Sequence, residues 1–367
     1  MKIKENFRFI NDKDWNLFEN FSKRNLVKSF ISNKKFNKFW FKARGRWSIY
    51  CIKIKNSLAL INMFLVFKAL YRGKSINLCW TSTAAIDKKF NMKTLFGFTM
   101  LNLIKKFPIV IMSCGNKHSM PLNKSLGYTI GKLDLRRFIL IHNVNCLQLV
   151  KSKYHNKLKK FIYTEIKNKS YQNINKSLSK KVPKDLNNLW EKFSKNFDLC
   201  ISKNYNYFKW RYEKAPFQKY NFLQFRNKNG LLIGITVIRF QETKAGICTR
   251  IVDFMSYNKS YSRSIWEGTI EECIANNSLY SDFIVYGSFE DRNLISSGFN
   301  LVRKSNCFSK IPNLLSPLEH RDWSYSFHIG GNHMYKKRLK SKNKVWFTKG
   351  DGDRDWPTPY DIKNRSY

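Results

Sequence analysis

The sequence predicts a mixed α/β (α+β) protein made of two similar halves in tandem, each a mixed central sheet flanked by helices. Three observations lead there. The chain has 367 residues, enough for two domains. Apolar residues make up 43% and aromatic residues 16%, so the chain can fill packed cores despite its wealth of Lys and Asn. One order of elements (hairpin, helix, strand, short helix, strand) occurs twice, as a repeat of order rather than of residues. The expected divisions are a first half over 1–146, a basic helical linker over 147–184, a second half over 185–344 and a tail over 345–367.

Residues 7–40 open the chain in mixed helical form, with Trp15, Phe18 and Phe21 at helical spacing. Residues 47–55 alternate as a strand does, and 58–70 read as a buried strand. Arg72-Gly73-Lys74 marks a hairpin turn into a strand over about 75–86. Over 92–106, Phe96, Met100 and Leu103 share one helical face. A short apolar strand follows from Pro108 to Gly115, then a short helix over 117–126 closed by Gly127, then a strand over 132–142. In 147–184, eleven Lys stand beside one acid, Glu165, and apolar residues recur at three- and four-residue steps. That pattern predicts a basic amphipathic helix, packed on a neighbouring domain or lying against a membrane surface. The first order then returns. It runs through a helix over 184–199, strands at 219–226 and 231–240 around the turn at Asn227–Gly230, and a strand at 247–255. A helix over 260–276, a strand at 282–287, a short helix over 290–297 and a strand over about 300–308 complete it.

The formal charge is +43. It suits anionic partners such as tRNA, other polyanions, nucleotide sugars or anionic membrane, and is equally what a Lys- and Asn-rich composition leaves on a solvated surface. Residues 251–300 run against it, with seven acids and three basic residues. The eight cysteines show no C-x-x-C spacing, which gives no zinc or redox motif; they read as reduced, small hydrophobes. The N-terminal segment lacks an apolar signal core and no stretch is long and apolar enough for a membrane helix, so a cytoplasmic location is expected. No phosphate loop or nucleophile elbow is present. Asp351, Asp353 and Asp355 imitate the opening of a calcium loop, but Ile362 stands where its bidentate Glu belongs, and no metal site is expected.

Trp80-Thr-Ser-Thr-Ala-Ala-Ile-Asp87, the helix after it, and Ile111-Met-Ser-Cys-Gly-Asn-Lys-His-Ser-Met-Pro-Leu-Asn-Lys-Ser-Leu-Gly-Tyr128 together resemble the GNAT acyltransferase superfamily. Phe208-Lys-Trp-Arg-Tyr212 with Pro216 and Tyr220, and the tail Trp346-Phe-Thr-Lys-Gly-Asp-Gly-Asp-Arg-Asp355, are similar to tandem GNAT proteins of bacterial surface-polysaccharide biosynthesis. The resemblance implies transfer of an acyl group from acetyl-CoA or another acyl-CoA to an amino sugar, nucleotide sugar or related amine. It implies a cofactor site at Lys89, Asn91, Met92, Lys93, Thr94 and Asn116, and a substrate site with Trp80, Trp210, Arg211 and Tyr212. Met92 and Thr94 occupy positions where the family usually has glycines; side chains there hinder close approach of phosphates, and Lys88, Lys89 and Lys93 add charge.

Asp253 interrupts an apolar strand and His118 follows the strand ending at Gly115; both are candidate catalytic groups. Asp253 reads equally as an ion-pair partner of Arg250 or Arg211, and Asn116 as a helix cap. Trp210-Arg211-Tyr212 reads either as a clamp for a sugar or phosphate or as an anchor of helix to sheet. Two other functions stay open: a Fem-like transferase using aminoacyl-tRNA, and a non-catalytic binding protein with the same fold. Two halves packed as a pseudo-dimer make a monomer the expected state.

Overall fold

The structure, a computed structural model, describes residues 7–26, 32–43, 46–90, 93–113, 119–128, 136–163, 174–243, 245–303, 305–312, 325–329, 344–352 and 355. The first half begins with β1 (Phe7–Phe9), α1 (Trp15–Asn25), α2 (Lys34–Phe41) and the small pair β2 (Lys42–Ala43) and β3 (Arg46–Trp47). It continues with β4 (Ile49–Ile54), β5 (Ser57–Tyr71), β6 (Lys74–Ile86), α3 (Lys93–Lys106), β7 (Ile109–Ser113) and α4 (Ser119–Ser125). Then come β8 (Arg136–Ile141), α5 (His155–Lys159), β9 (Asn175–Ser179), α6 (Leu186–Ser194), β10 (Leu199–Ile201) and α7 (Tyr205–Phe208), the last running into a π-helical turn over Lys209–Glu213. The second half follows as β11 (Asn221–Arg226), β12 (Leu232–Thr243), β13 (Gly246–Ser256), α8 (Lys259–Ala275), β14 (Tyr280–Tyr286), α9 (Asp291–Ser296) and β15 (Asn300–Leu301), with β16 (Tyr325–Ile329) and β17 (Val345–Thr348) after it.

The long hairpin β5–β6 is built from a nearly unbroken apolar strand whose residues 58–65 are buried, as a strand covered on both faces requires. Its turn places Arg72 and Gly73 at φ of 51° and 75°, the left-handed pair that matches strand twist. One face of this sheet packs Trp15, Phe18, Phe21, Phe36 and Trp40 from α1 and α2. The other face packs Met100 and Leu103 from α3 against Tyr50, Phe64 and Cys79. In the second half Trp266 of α8 stacks flat on Phe254 of β13, with centroids 4.3 Å apart.

The halves exchange strands. β8, which follows α4 of the first half, pairs antiparallel with β14 of the second. β16 returns to pair antiparallel with β7 of the first. β10 pairs with β5 on one side and β17 on the other, so the two sheets join into one, of fifteen strands among the described residues. Residues 136–141, which sequence order places in the first half, therefore belong to the second-half sheet.

The expected helix over 147–184 is not one element. Its described part makes short helical turns at Val144–Leu149, Ser152–Tyr154 and His155–Lys159, and ends in strand β9. The apolar residues at helical spacing, Leu147 and Leu158 among them, cover the end of the second-half sheet over Cys248, Leu279 and Tyr280. The strand expected over 300–308 is confined to Asn300–Leu301 and gives way to a helical turn at Cys307–Lys310. Among the described residues, no helix is long and apolar enough to cross a membrane.

Candidate functional site

Each half contains a place where two parallel strands part. In the first, β6 and β7 pair only from Leu78–Ile109 to Thr81–Met112. β6 then runs on to Ile86 beside β5. At the point of parting, Met63 of β5 faces two residues of β6, Ser82 and Thr83, which is a β-bulge. α3 starts at the same end of the sheet, after a turn in which the Asp87 side chain accepts the Lys89 N–H at 3.1 Å. Behind the bulge, the buried Asn62 amide donates to Thr99 Oγ1 of α3 at 2.9 Å, tying helix to sheet.

The second half repeats the device. β13 and β14 pair only from Thr249–Ser281 to Ile251–Phe283, and Val252 is the extra residue of a bulge opposite Val237 and Ile238. Here, however, the chain fills its own gap. β17 pairs antiparallel with Val285 and Tyr286. The N–H of Lys349 donates to Ile284 O at 2.9 Å, and the N–H of Gly350 donates to the bulge carbonyl of Val252 at 2.8 Å. Residues 345–352 thus form a strap between the parted strands. It reaches the first half as well: a Cβ on Gly352, which sits at φ +64°, would lie 2.3 Å from the Trp80 ring.

Buried charges hold the strap. Lys203 Nζ lies 2.9 Å from Asp253 Oδ1, 2.9 Å from Asp351 Oδ2 and 2.9 Å from Thr348 Oγ1. Burial alone would push the Lys203 ammonium down; the two carboxylates more than reverse this and hold it above its ordinary value. Tyr212 OH donates to Asp253 at 2.8 Å and Tyr207 OH to Asp351 at 3.1 Å. Arg211 donates to Gly350 O at 2.8 Å. Further along, Asp355 accepts from Arg250 at 2.6 Å, from Arg239 at 3.4 Å and from Tyr220 OH at 2.5 Å. Burial would raise the Asp355 pKa, but Arg239, Arg250 and Arg211 overcome it and hold the carboxyl well below the usual carboxylate range. Lys349 pairs with Asp282 at 2.8 Å; burial pushes its ammonium down to about 8.

The residues picked out from sequence fall into three groups. Trp80, Arg211, Tyr212 and Asp253 are fully enclosed and all stand around the strap. Asp253 pairs with Lys203, not with Arg250 or Arg211, which are spent on Asp355 and on Gly350 O. Trp210 packs half-buried on Phe39 at 5.5 Å and on Trp40 and Tyr207, each at 5.8 Å. Lys89 is exposed in the turn before α3. Lys93 and Thr94 form the first turn of α3, with only their backbone described. Asn91, Met92, Asn116 and His118 lie outside the described residues. Lys203, Asp282 and Lys349 also belong to this buried charge network and are not among the residues the sequence suggests. Asp282 carries the same signal as Asp253, an acid inside an apolar strand; nothing marks one buried lysine in a chain with 68 Lys and Arg. The acids Asp351 and Asp355, which imitate a calcium loop, are occupied by internal cations.

Among solved structures, the chain is similar to the N-myristoyltransferase of Saccharomyces cerevisiae, solved with bound myristoyl-CoA and inhibitors. The identity is 10% and the TM-score 0.53, over 88% of this chain and 80% of that one. A GCN5-related N-acetyltransferase from Anabaena variabilis matches at 10% identity and a TM-score of 0.55, over 88% and 72%. A conserved protein of unknown function from Enterococcus faecalis, described as a probable N-acyltransferase, matches at 9% and 0.53, over 88% and 71%. No protein-family model and no curated protein matches the sequence. At such identities the likeness is one of fold: a GNAT-like mixed α/β fold, a large mixed sheet flanked by helices.

Proposed function

We propose that the chain is an acyl-CoA-dependent N-acyltransferase with one working half, the first, and that its acceptor is an amino sugar or related amine used in surface-polysaccharide assembly. The observation that carries this is the contrast between the two bulges. In the second half the bulge carbonyl of Val252 is taken by the strap's own Gly350 N–H. A pantetheine arm is an extended chain of amides and would need the same edge. In the first half β6 leaves β7 after Thr81, carries its bulge at Ser82 and Thr83, and has the start of a 14-residue helix beside it. Backbone N–H groups at such a bulge suit the oxyanion of a thioester under attack, and a helix N-terminus suits a pyrophosphate. The neighbours named N-acyltransferase and N-acetyltransferase support the class of reaction. When bound, an acyl-CoA would supply an activated carbonyl: the acceptor nitrogen would form the new C–N bond as the C–S bond breaks, and the proton the amine gives up would pass through a protein base to the leaving thiolate.

In this reading His118, from the segment after β7, is the group that receives the amine proton. Asp253, sealed against Lys203 and Tyr212, holds the strap. The seven described cysteines are all free, which fits a reducing cytoplasm. Titration with acetyl-CoA and longer acyl-CoAs tests the proposal. The wild type is expected to bind at least one of them. Thr83→Phe, which fills the bulge, is expected to weaken binding by about ten-fold or more, roughly 1.4 kcal/mol. Absence of binding to every acyl-CoA would leave a GNAT-fold binding protein instead.

A further inference from the structure

We propose that the surface formed by residues 144–161 docks the protein on an anionic lipid membrane, a property separate from the acyl-transfer reading. This segment carries Lys151, Lys153, Lys157, Lys159 and Lys160, and no acid occurs between residues 142 and 164. All five lysines are exposed, and none of them makes an ion pair among the described residues. Lys310 extends the patch, over the Tyr154 ring at 5.7 Å. The apolar residues of the segment are not all turned inward. Phe161 is 43% exposed, edge-on to Phe308, and Val144 is 49% exposed.

Two features favour lipid over nucleic acid. Every cation of the segment is Lys, a hydrated point charge on a long apolar stem, whereas Arg, which forks onto phosphate and stacks on bases, is absent from it. Exposed aromatic and aliphatic side chains among lysines match the interfacial layer of a bilayer, which takes apolar groups below a negatively charged plane. The patch also lies beside Cys248, Leu279 and Tyr280, at the start of β13 and β14, the opposite end of the second-half sheet from the strap. Docking there leaves the strap untouched.

Each lysine near an anionic surface is worth about a five-fold gain in partitioning, so five act together on the order of 100-fold or more after salt screening. The test is sedimentation of the full chain with phosphatidylcholine vesicles, with and without about 30% phosphatidylglycerol, at roughly 0.15 M salt. Wild type is expected to sediment with the anionic vesicles only. Joint replacement of Lys151, Lys153, Lys157, Lys159 and Lys160 by Gln is expected to lower that binding on the order of 100-fold. A control with Lys13, Lys35, Lys38, Lys74 and Lys105 replaced by Gln, all exposed in the first half, keeps most of it. Phe161→Ser is expected to weaken vesicle binding several-fold and leave heparin binding unchanged. Equal loss in the two charge variants overturns the proposal, since overall charge is then responsible. So does a patch variant that loses tRNA or heparin binding but keeps vesicle binding.

Discussion

Asp355→Ala is expected to lower stability by about 3–5 kcal/mol, because it takes the carboxylate away from the buried Arg250 guanidinium and from its neighbour Arg239. Arg239 and Arg250 are both fully enclosed, and both lie on Asp355 Oδ1. Tyr220 and, through it, Arg211 are linked to the other oxygen. The loss is read as a lower urea midpoint and as faster proteolysis within the strap. Arg250→Met in the Asp355→Leu background is expected to recover part of it, since an apolar pair of similar volume avoids burying an unpaired charge. The pH dependence has a definite sign. A carboxylate held below its unfolded value near 3.9 adds stability above that pH and loses it as the pH falls toward the folded value. Asp355 and Asp282 both have this direction. Acid is therefore expected to destabilise the wild type below about pH 4, and Asp355→Asn to flatten that part of the curve.

Lys203→Met is expected to cost a similar amount, about 3–5 kcal/mol at neutral pH, by the converse fault. It leaves the carboxylates of Asp253 and Asp351, both 2.9 Å from the same nitrogen, buried and facing each other. One of them must then take up a proton. Burial already raises the Asp351 carboxyl even with Lys203 in place. A carboxyl raised above its unfolded value stabilises the fold at low pH and loses that contribution as the pH rises through the folded value. The variant is accordingly expected to be more stable at about pH 5 than at about pH 8, the reverse of the contribution made by Asp355. Urea unfolding at the two pH values distinguishes the cases.

The hairpin at Arg72–Lys74 and the turn at Asn227–Gly230 were legible because local turn chemistry and apolar runs decide them. The helix α3 was legible because one apolar face packs on one sheet. Three things were not. The exchange of β8 and β16 between halves is a matter of long-range pairing, which no local pattern encodes. The three- and four-residue spacing in 147–184 comes from apolar residues capping a sheet end with short turns, which mimics a helix. Lys203 and Lys349 are read from sequence as solvated, and become buried only because acids from distant segments, Asp253, Asp351 and Asp282, converge on them. The candidate site was half-legible for the same reason. Trp80, Arg211, Tyr212 and Asp253 do come together, but around the chain's own strap.

The central claim is that a thioester enters between β6 and β7 while the strap keeps it out from between β13 and β14. A photoreactive acyl-CoA, cross-linked to the full chain and mapped by mass spectrometry, tests it most directly. Labels within residues 81–113 agree with the account. Labels on 252–256, 284–286 or the first turn of α8, with the strap displaced, contradict it.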